Sequence, residues 1–230
     1  MRQIAKNVFH IPVYPRSGIN CYIAEGVLID AGKRDSYKKI FKATEKIPVH
    51  AHALTHAHAD HQGSTHTICN QLQVPLLCHQ KEVQRAETGI LVTDDSEKNF
   101  ITKFQQKYWA GPGHKVDKIL RENDLVENFR VFETPGHSSG HISFFRESDG
   151  VLILGDVATN MNLLTTISGL HLSPDIFTTD QAENIKSLQK MAALNPRIIC
   201  FGHGPVLHNE NNVFEKFAEK IMKRFEQIAL

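Results

Sequence analysis

The sequence predicts an α/β fold in which sheets and helices are layered, and three observations lead there. Residues 20–78 run strand, helix, strand, helix, strand, the rhythm of layered α/β proteins. A second half is strand-rich at first and helical towards its end. The chain has 230 residues, 41% of them hydrophobic and 22% charged, enough to bury a substantial core as one α/β domain. The domain reading is a single unit over residues 1–230, with an insertion or flap at about 88–117.

The elements follow in order. Val8–Ile11 and Asn20–Ala24 read as strands, and Glu25-Gly26 as a hairpin turn into Val27–Ile29. Asp30-Ala31-Gly32 ends that strand in a loop. Residues 35–46 place Tyr37, Ile40, Phe41 and Thr44 on one side of a helix. Ala53–Thr55 is a short strand, residues 64–72 a helix and Val74–Cys78 the next strand. Thr93–Ser96 and Trp109–Gly113 carry loop signals on either side of a helix at 97–108. Such an excursion lies over an active site as a flap or on the surface as a plain loop. Lys118–Leu120, Phe129–Thr134, Ile142–Arg146 and Val151–Leu154 read as strands of the second half. Asp180, with Glu183 three residues on, is a capping-box start for a helix at 178–193. Arg197–Phe201 is a buried strand, and residues 211–228 form an amphipathic helix striped by Val213, Phe214, Phe217, Ile221 and Phe225.

Composition narrows the function classes. The formal net charge is +1, and no basic run is flanked by aromatics, so nothing points to nucleic acid. Apolar stretches such as Val151–Leu154 are strand-length and far too short to span a bilayer. Met1–Asn7 lacks the apolar core of a signal peptide. The four cysteines, Cys21, Cys69, Cys78 and Cys200, form no CxxC pair and read as buried free thiols in a reducing cytoplasm. The expected partner is therefore a small-molecule substrate met in the cytoplasm, with no nucleic acid and no membrane, and the oligomeric state is open.

Fourteen histidines are the compositional outlier, and the chemistry concentrates in Thr55–Gly63. His56, His58, Asp60 and His61 follow the pattern His-x-His-x-Asp-His. Residues i and i+2 share one face of an extended strand, so His56 and His58 converge on one centre. A sharp turn at Asp60 then aims Asp60 and His61 at a second centre. Imidazole and carboxylate together suit zinc, and also iron or manganese. Three further candidates follow strands: His137 after Pro135-Gly136, Asp156 after Gly155, and His203 between Gly202 and Gly204. Catalytic groups gather where strands end, and glycine lets the backbone turn sharply there. Grouping them gives His56, His58 and His137 around one ion and Asp60, His61 and His203 around the other. Asp156 bridges both at the roughly 3.5–4 Å spacing of two-metal hydrolases. The competing reading of Asp156 is a helix cap or turn residue.

These five motifs, Asp30 in Leu28–Gly32 included, resemble in order and spacing those of the metallo-β-lactamase superfamily, over about residues 30–203. The resemblance implies a four-layer αββα sandwich with the metals at one edge, and gives Asp30 the task of supporting the metal-binding loop. It implies two Zn2+ per chain, with iron or manganese possible, and a bridging hydroxide that attacks an ester, thioester or lactone carbonyl. Asp60 orients that hydroxide and passes its proton. Asp156 stands where the best-known zinc β-lactamases carry Cys or Ser, so the set is more similar to glyoxalase II-type thioesterases and lactonases. Only 27 residues follow His203, too few for the glutathione-binding region of glyoxalase II proper. His141 is expected to support or pack rather than ligate, and His171 is a candidate for the substrate pocket. Trp109 and Phe177 are also pocket candidates, with core packing the better expectation. Other classes stay open: a mononuclear iron dioxygenase of persulfides using His56, His137 and Asp156, a two-metal phosphodiesterase, or a non-catalytic metal-binding protein.

Overall fold

The computed structural model describes residues 1–90 and 100–228. Its contacts divide the chain into two compact units, Met1–Arg121 and Glu122–Leu230.

The first unit holds a seven-stranded sheet in chain order: β1 (Arg2–Ala5), β2 (Val8–Pro12), β3 (Asn20–Ala24), β4 (Val27–Ile29), β5 (Ala51–Ala53), β6 (Leu76–His79) and β7 (Lys118–Leu120). β1 to β4 pair antiparallel and β4 to β7 parallel. The β3–β4 hairpin turns at Glu25 and Gly26 with φ of 50° and 81°, the left-handed pair a tight two-residue hairpin requires. Helices α1 (Tyr37–Thr44) and α3 (Thr65–Leu72) flank the short α2 (Ala59–Gln62). Ile40, Ala43 and Ile68 of α1 and α3 pack on Ile11, Cys21, Ile23 and Leu28 of the sheet. Helix α4 (Val83–Thr88) follows a 3-10 turn at Gln80–Glu82, and α5 (Phe100–Tyr108) lies beyond it.

Three expectations change here. The strand expected over Ala53–Thr55 is Ala51–Ala53, and His56 and His58, expected on one face of an extended strand, stand on the loop that follows it. The sharp turn expected at Asp60 is one turn of helix, α2, which lets a single backbone bond pattern aim Asp60 and His61. Lys118–Leu120 belongs to the first sheet, where β7 pairs with β6, because the long connection after α4 returns the chain parallel to that strand. In the expected insertion, Thr93–Ser96 and residues 97–99 of the expected helix lie outside the described residues. Its later part is packed down: Trp109 O accepts from Arg34 N, and a Cβ on Gly111 would stand 2.0 Å from Gly63 O.

The second unit carries a six-stranded sheet, β15–β14–β11–β10–β9–β8, and a separate hairpin. The strands are β8 (Leu125–Val126), β9 (Phe129–Glu133), β10 (Ile142–Arg146), β11 (Val151–Gly155), β14 (Ile198–Phe201) and β15 (Leu207–His208). The hairpin is β12 (Ala158–Met161) with β13 (Ser168–Leu172), in a segment that the sequence leaves as loop. Helices α6 (Gln181–Ala192) and α7 (Val213–Ile228) cover the sheet through Leu188, Met191, Phe214 and Ala218, packed on Leu152, Leu154, Ile199 and Phe201. Asp180 caps α6 by accepting from Glu183 N at 3.0 Å. Among the described residues no helix is long and apolar enough to cross a membrane.

Candidate metal centre

In the first unit the loop after β5 and helix α2 gather His56, His58, Asp60 and His61. The ring centroids of His56 and His58 are 4.5 Å apart, and those of His56 and His61 are 4.1 Å apart. The ligand atoms of His56 and His58 lie within 4.8 Å of each other, as do those of His56 and His61 and those of Asp60 and His61. His56 and His61 are fully buried, Asp60 is buried and His58 is half-buried.

Asp30 holds this loop. At φ 60° it directs its carboxylate back under the motif. Its Oδ1 accepts from Thr55 N at 2.8 Å, and its Oδ2 accepts from Thr55 Oγ1 at 2.8 Å and from His61 Nδ1 at 2.9 Å. The backbone repeats the grip, since Ala31 N donates to His61 O and Gly63 N to Gly32 O. The bonds also set tautomers. His61 donates its Nδ1 proton to a carboxylate, which places the ring's lone pair on Nε2. Thr55 donates its hydroxyl to Asp30 and so accepts from His56 Nδ1 at 3.1 Å, which places the His56 lone pair on Nε2 as well.

In the second unit Asp156, His137 and His203 stand together. Asp156 Oδ2 is 3.0 Å from His203 Nε2 and 3.6 Å from His137 Nε2, all three side chains being buried. One carboxylate oxygen thus faces both histidines. Gly136, at φ 128°, turns the chain into His137, and a Cβ there would stand 2.2 Å from Asn184 N of α6. His137 Nδ1 faces Thr178 Oγ1 at 3.4 Å.

His141 has both ring nitrogens committed. Its Nε2 accepts from Asp156 N at 3.0 Å, and its Nδ1 donates to Thr134 Oγ1 at 2.8 Å. Thr134 donates on to Ser143 Oγ at 3.0 Å, and Ser143 donates to Leu154 O at 2.9 Å. The direction of this buried chain is fixed by its first donor, a backbone N–H, and its last acceptor, a carbonyl. It pins the backbone of Asp156 to the strand that delivers it. His171 is exposed on β13 opposite Thr159. The hairpin it belongs to is tied at its base, where Asn160 N donates to His203 O and Ser173 Oγ to Asp156 O. Trp109 packs beside Ala59 and Ala110, and Phe177 is half-buried.

The other histidines are separate from these clusters. His52 is fully buried, with Nδ1 on Leu28 O and Nε2 on Thr65 Oγ1, each at 3.0 Å. Burial lowers its pKa to about 4, against smaller raising effects from the Leu28 carbonyl and Asp30. The four cysteines are buried, and burial raises each thiol, Cys69 and Cys78 to about 12, which makes them poor nucleophiles and poor metal ligands. One carboxylate near the motif has no signal in the sequence: Glu82, fully buried, accepts from Ala57 N at 3.0 Å.

Both clusters are carried by the stretch that matches the model of the Metallo-beta-lactamase superfamily, residues 14–203. The chain is 30% identical over 207 residues to the probable metallo-hydrolase YflN of Bacillus subtilis, covering 80% of this chain and 77% of that protein. It is 27% identical to the atrochrysone carboxyl ACP thioesterase of Aspergillus fumigatus, over 93% of this chain and 59% of that one. The solved metallo-beta-lactamase family protein TTHA1429 of Thermus thermophilus superposes with a TM-score of 0.71 at 21% identity, over 98% of this chain and 81% of that one. That likeness establishes the fold class, the αββα metallo-β-lactamase fold expected from the sequence. By a match that spans most of its length, the chain belongs to the metallo-beta-lactamase superfamily, a superfamily of metallo-hydrolases.

Proposed function

We propose that the chain is a dinuclear metal-dependent hydrolase that opens an ester, thioester or lactone carbonyl of a small molecule. The observation that carries the reading is Asp156, whose one carboxylate oxygen faces both His137 and His203. In the proposed centre those two histidines serve different ions. His56, His58 and His137 would hold one, and Asp60, His61 and His203 the other, with Asp156 available to both. The donor chemistry fits: imidazoles and carboxylates, mostly buried, with Nε2 lone pairs set by Asp30 and Thr55, suit zinc and also accept iron or manganese.

When bound, two divalent ions lower the pKa of a shared water and polarise the substrate carbonyl. The chain's own residues do the rest. Asp60, beside His61, orients the attacking water and takes its proton, and then returns a proton to the leaving group. Asp30 and His141 keep the ligands in place. His171 and the segment 157–178 line the substrate side, with specificity set there and in residues 88–117. Two features support the carbonyl class: the aspartate at position 156, and the thioesterase among the relatives.

The test is a substrate panel of carboxylic esters, acyl thioesters, lactones, a β-lactam and a glutathione persulfide, with protein stripped by chelator and then reconstituted. The proposal expects hydrolysis within the first three classes, lost on stripping and restored by zinc. Hydrolysis that survives chelation contradicts it, as does oxygen uptake with persulfide in place of hydrolysis.

A further inference from the structure

Glu82 is a fully buried carboxylate placed at the end of the 3-10 turn between β6 and α4. Its Oε2 accepts from the backbone N–H of Ala57 at 3.0 Å, and the guanidinium of buried Arg85 stands 3.9 Å from the same oxygen. Ala57 is itself fully buried and separates the ligand candidates His56 and His58. The chain has left the sheet by this point, its last ladder-like bond being Leu54 N to Leu77 O. The carboxylate therefore takes the place of a neighbouring strand. The peptide plane between His56 and Ala57 sets the ψ of His56 and the φ of Ala57. A bond to that N–H therefore orients the backbone from which both imidazoles project. The turn that presents Glu82 is capped in turn, since His79 Nδ1 accepts from Lys81 N at 3.3 Å.

Burying a carboxylate is costly unless hydrogen bonds and a counter-charge offset the lost hydration. Here Ala57 N–H and Arg85 supply both, and the bond lands on the loop that carries two ligands. We propose that Glu82 is a positioning residue for the ion held by His56 and His58. It acts through the Ala57 peptide, and it leaves the ion at Asp60 and His61 to Asp30. The inference rests on the dinuclear reading above and adds to it which side chain holds the histidine-rich half in register.

The experiment is cobalt(II) titration of chelator-stripped full-length protein, followed by visible absorption and metal analysis, with thermal unfolding of the metal-free protein alongside. Wild type takes up two ions. Glu82→Ala is expected to bind one of them about 10- to 100-fold more weakly, the usual consequence of losing a partner behind the ligands, and to change the absorption bands of that ion alone. Glu82→Asp keeps the charge but withdraws the oxygen, and is expected to behave like Glu82→Ala, which keeps the test open should the alanine variant not fold. Glu82→Gln retains an acceptor oxygen and is expected to recover most of the affinity. Two equally tight ions in a folded Glu82→Ala or Glu82→Asp protein overturn the inference. Loss in Glu82→Gln as complete as in Glu82→Ala overturns it too, because the effect is then charge balance with Arg85. A wild type that takes up no cobalt overturns the metal-centre reading itself, whereas the variant outcomes, read beside a two-ion wild type, bear on Glu82 alone.

Discussion

Replacing Asp30 with asparagine changes one oxygen into an NH2 group, and the structure says what that does. Asp30 is 2% exposed and serves Thr55 N, Thr55 Oγ1 and His61 Nδ1 together. Asparagine keeps one acceptor, enough for Thr55 N, and turns a donor toward His61 Nδ1. Two donors cannot share that bond, so the ring relieves the conflict by moving its proton to Nε2, the nitrogen needed for a metal. A hydrogen bond to a charged group contributes about 1.5–3 kcal/mol, and each 1.4 kcal/mol is about tenfold in affinity, so binding falls about 10- to 100-fold. The ion at Asp60 and His61 is lost first. Through Thr55 Oγ1 and His56 Nδ1 the ion at His56 weakens too, a pattern distinct from that expected of Glu82. Competition against a chromophoric chelator measures both affinities, with urea unfolding to confirm that the variant folds. A folded Asp30→Asn protein that binds both ions as wild type does would refute the tautomer argument.

Asp60→Asn is expected to keep a ligand oxygen but lose the proton acceptor, lowering kcat about 10²- to 10⁴-fold with a smaller change in KM; steady-state kinetics with unchanged metal content checks it. His52 links stability to pH. Its folded pKa of about 4 lies below the ordinary 6.5 because burial disfavours the charged ring, so the unfolded chain takes up the proton first as pH falls. The stability tied to His52 is full above about pH 6.5 and is lost towards pH 4, about 3 kcal/mol in all. Urea unfolding of the metal-free protein, followed by the single tryptophan, Trp109, reports it; parallel pH curves for wild type and His52→Gln would contradict it. Gly136→Ala places a Cβ 2.2 Å from Asn184 N at a φ of 128°. It should cost well over about 1 kcal/mol in chemical unfolding followed by circular dichroism, and an unchanged midpoint would count against the packing described.

The ligand candidates were legible because metal chemistry forces a spacing. His-x-His-x-Asp-His is rare by chance, and glycines beside His137, Asp156 and His203 betray backbone turns at strand ends. The hydrophobic strands β2, β3, β4, β10 and β11 were equally legible, their apolar runs being bounded by turn residues. What the sequence hid depends on long-range contacts. Glu82 sits in the polar run Gln80-Lys81-Glu82, and only the fold brings its carboxylate to Ala57. β7 pairs with β6 across a connection of more than thirty residues, a partner that local pattern does not specify. The β12–β13 hairpin mixes Thr159, Asn160 and His171 with exposed Leu164 and Ile167, so it shows no clean alternation. The helical turn α2 is four residues long, too short for periodicity to announce.

In the proposed centre seven side chains would hold two ions. Anomalous diffraction from crystals grown with zinc tests it most directly. Two peaks are expected about 3.5–4 Å apart, one bound by His56, His58 and His137, the other by Asp60, His61 and His203, with Asp156 touching both. A single peak, or two peaks that Asp156 does not join, would contradict it.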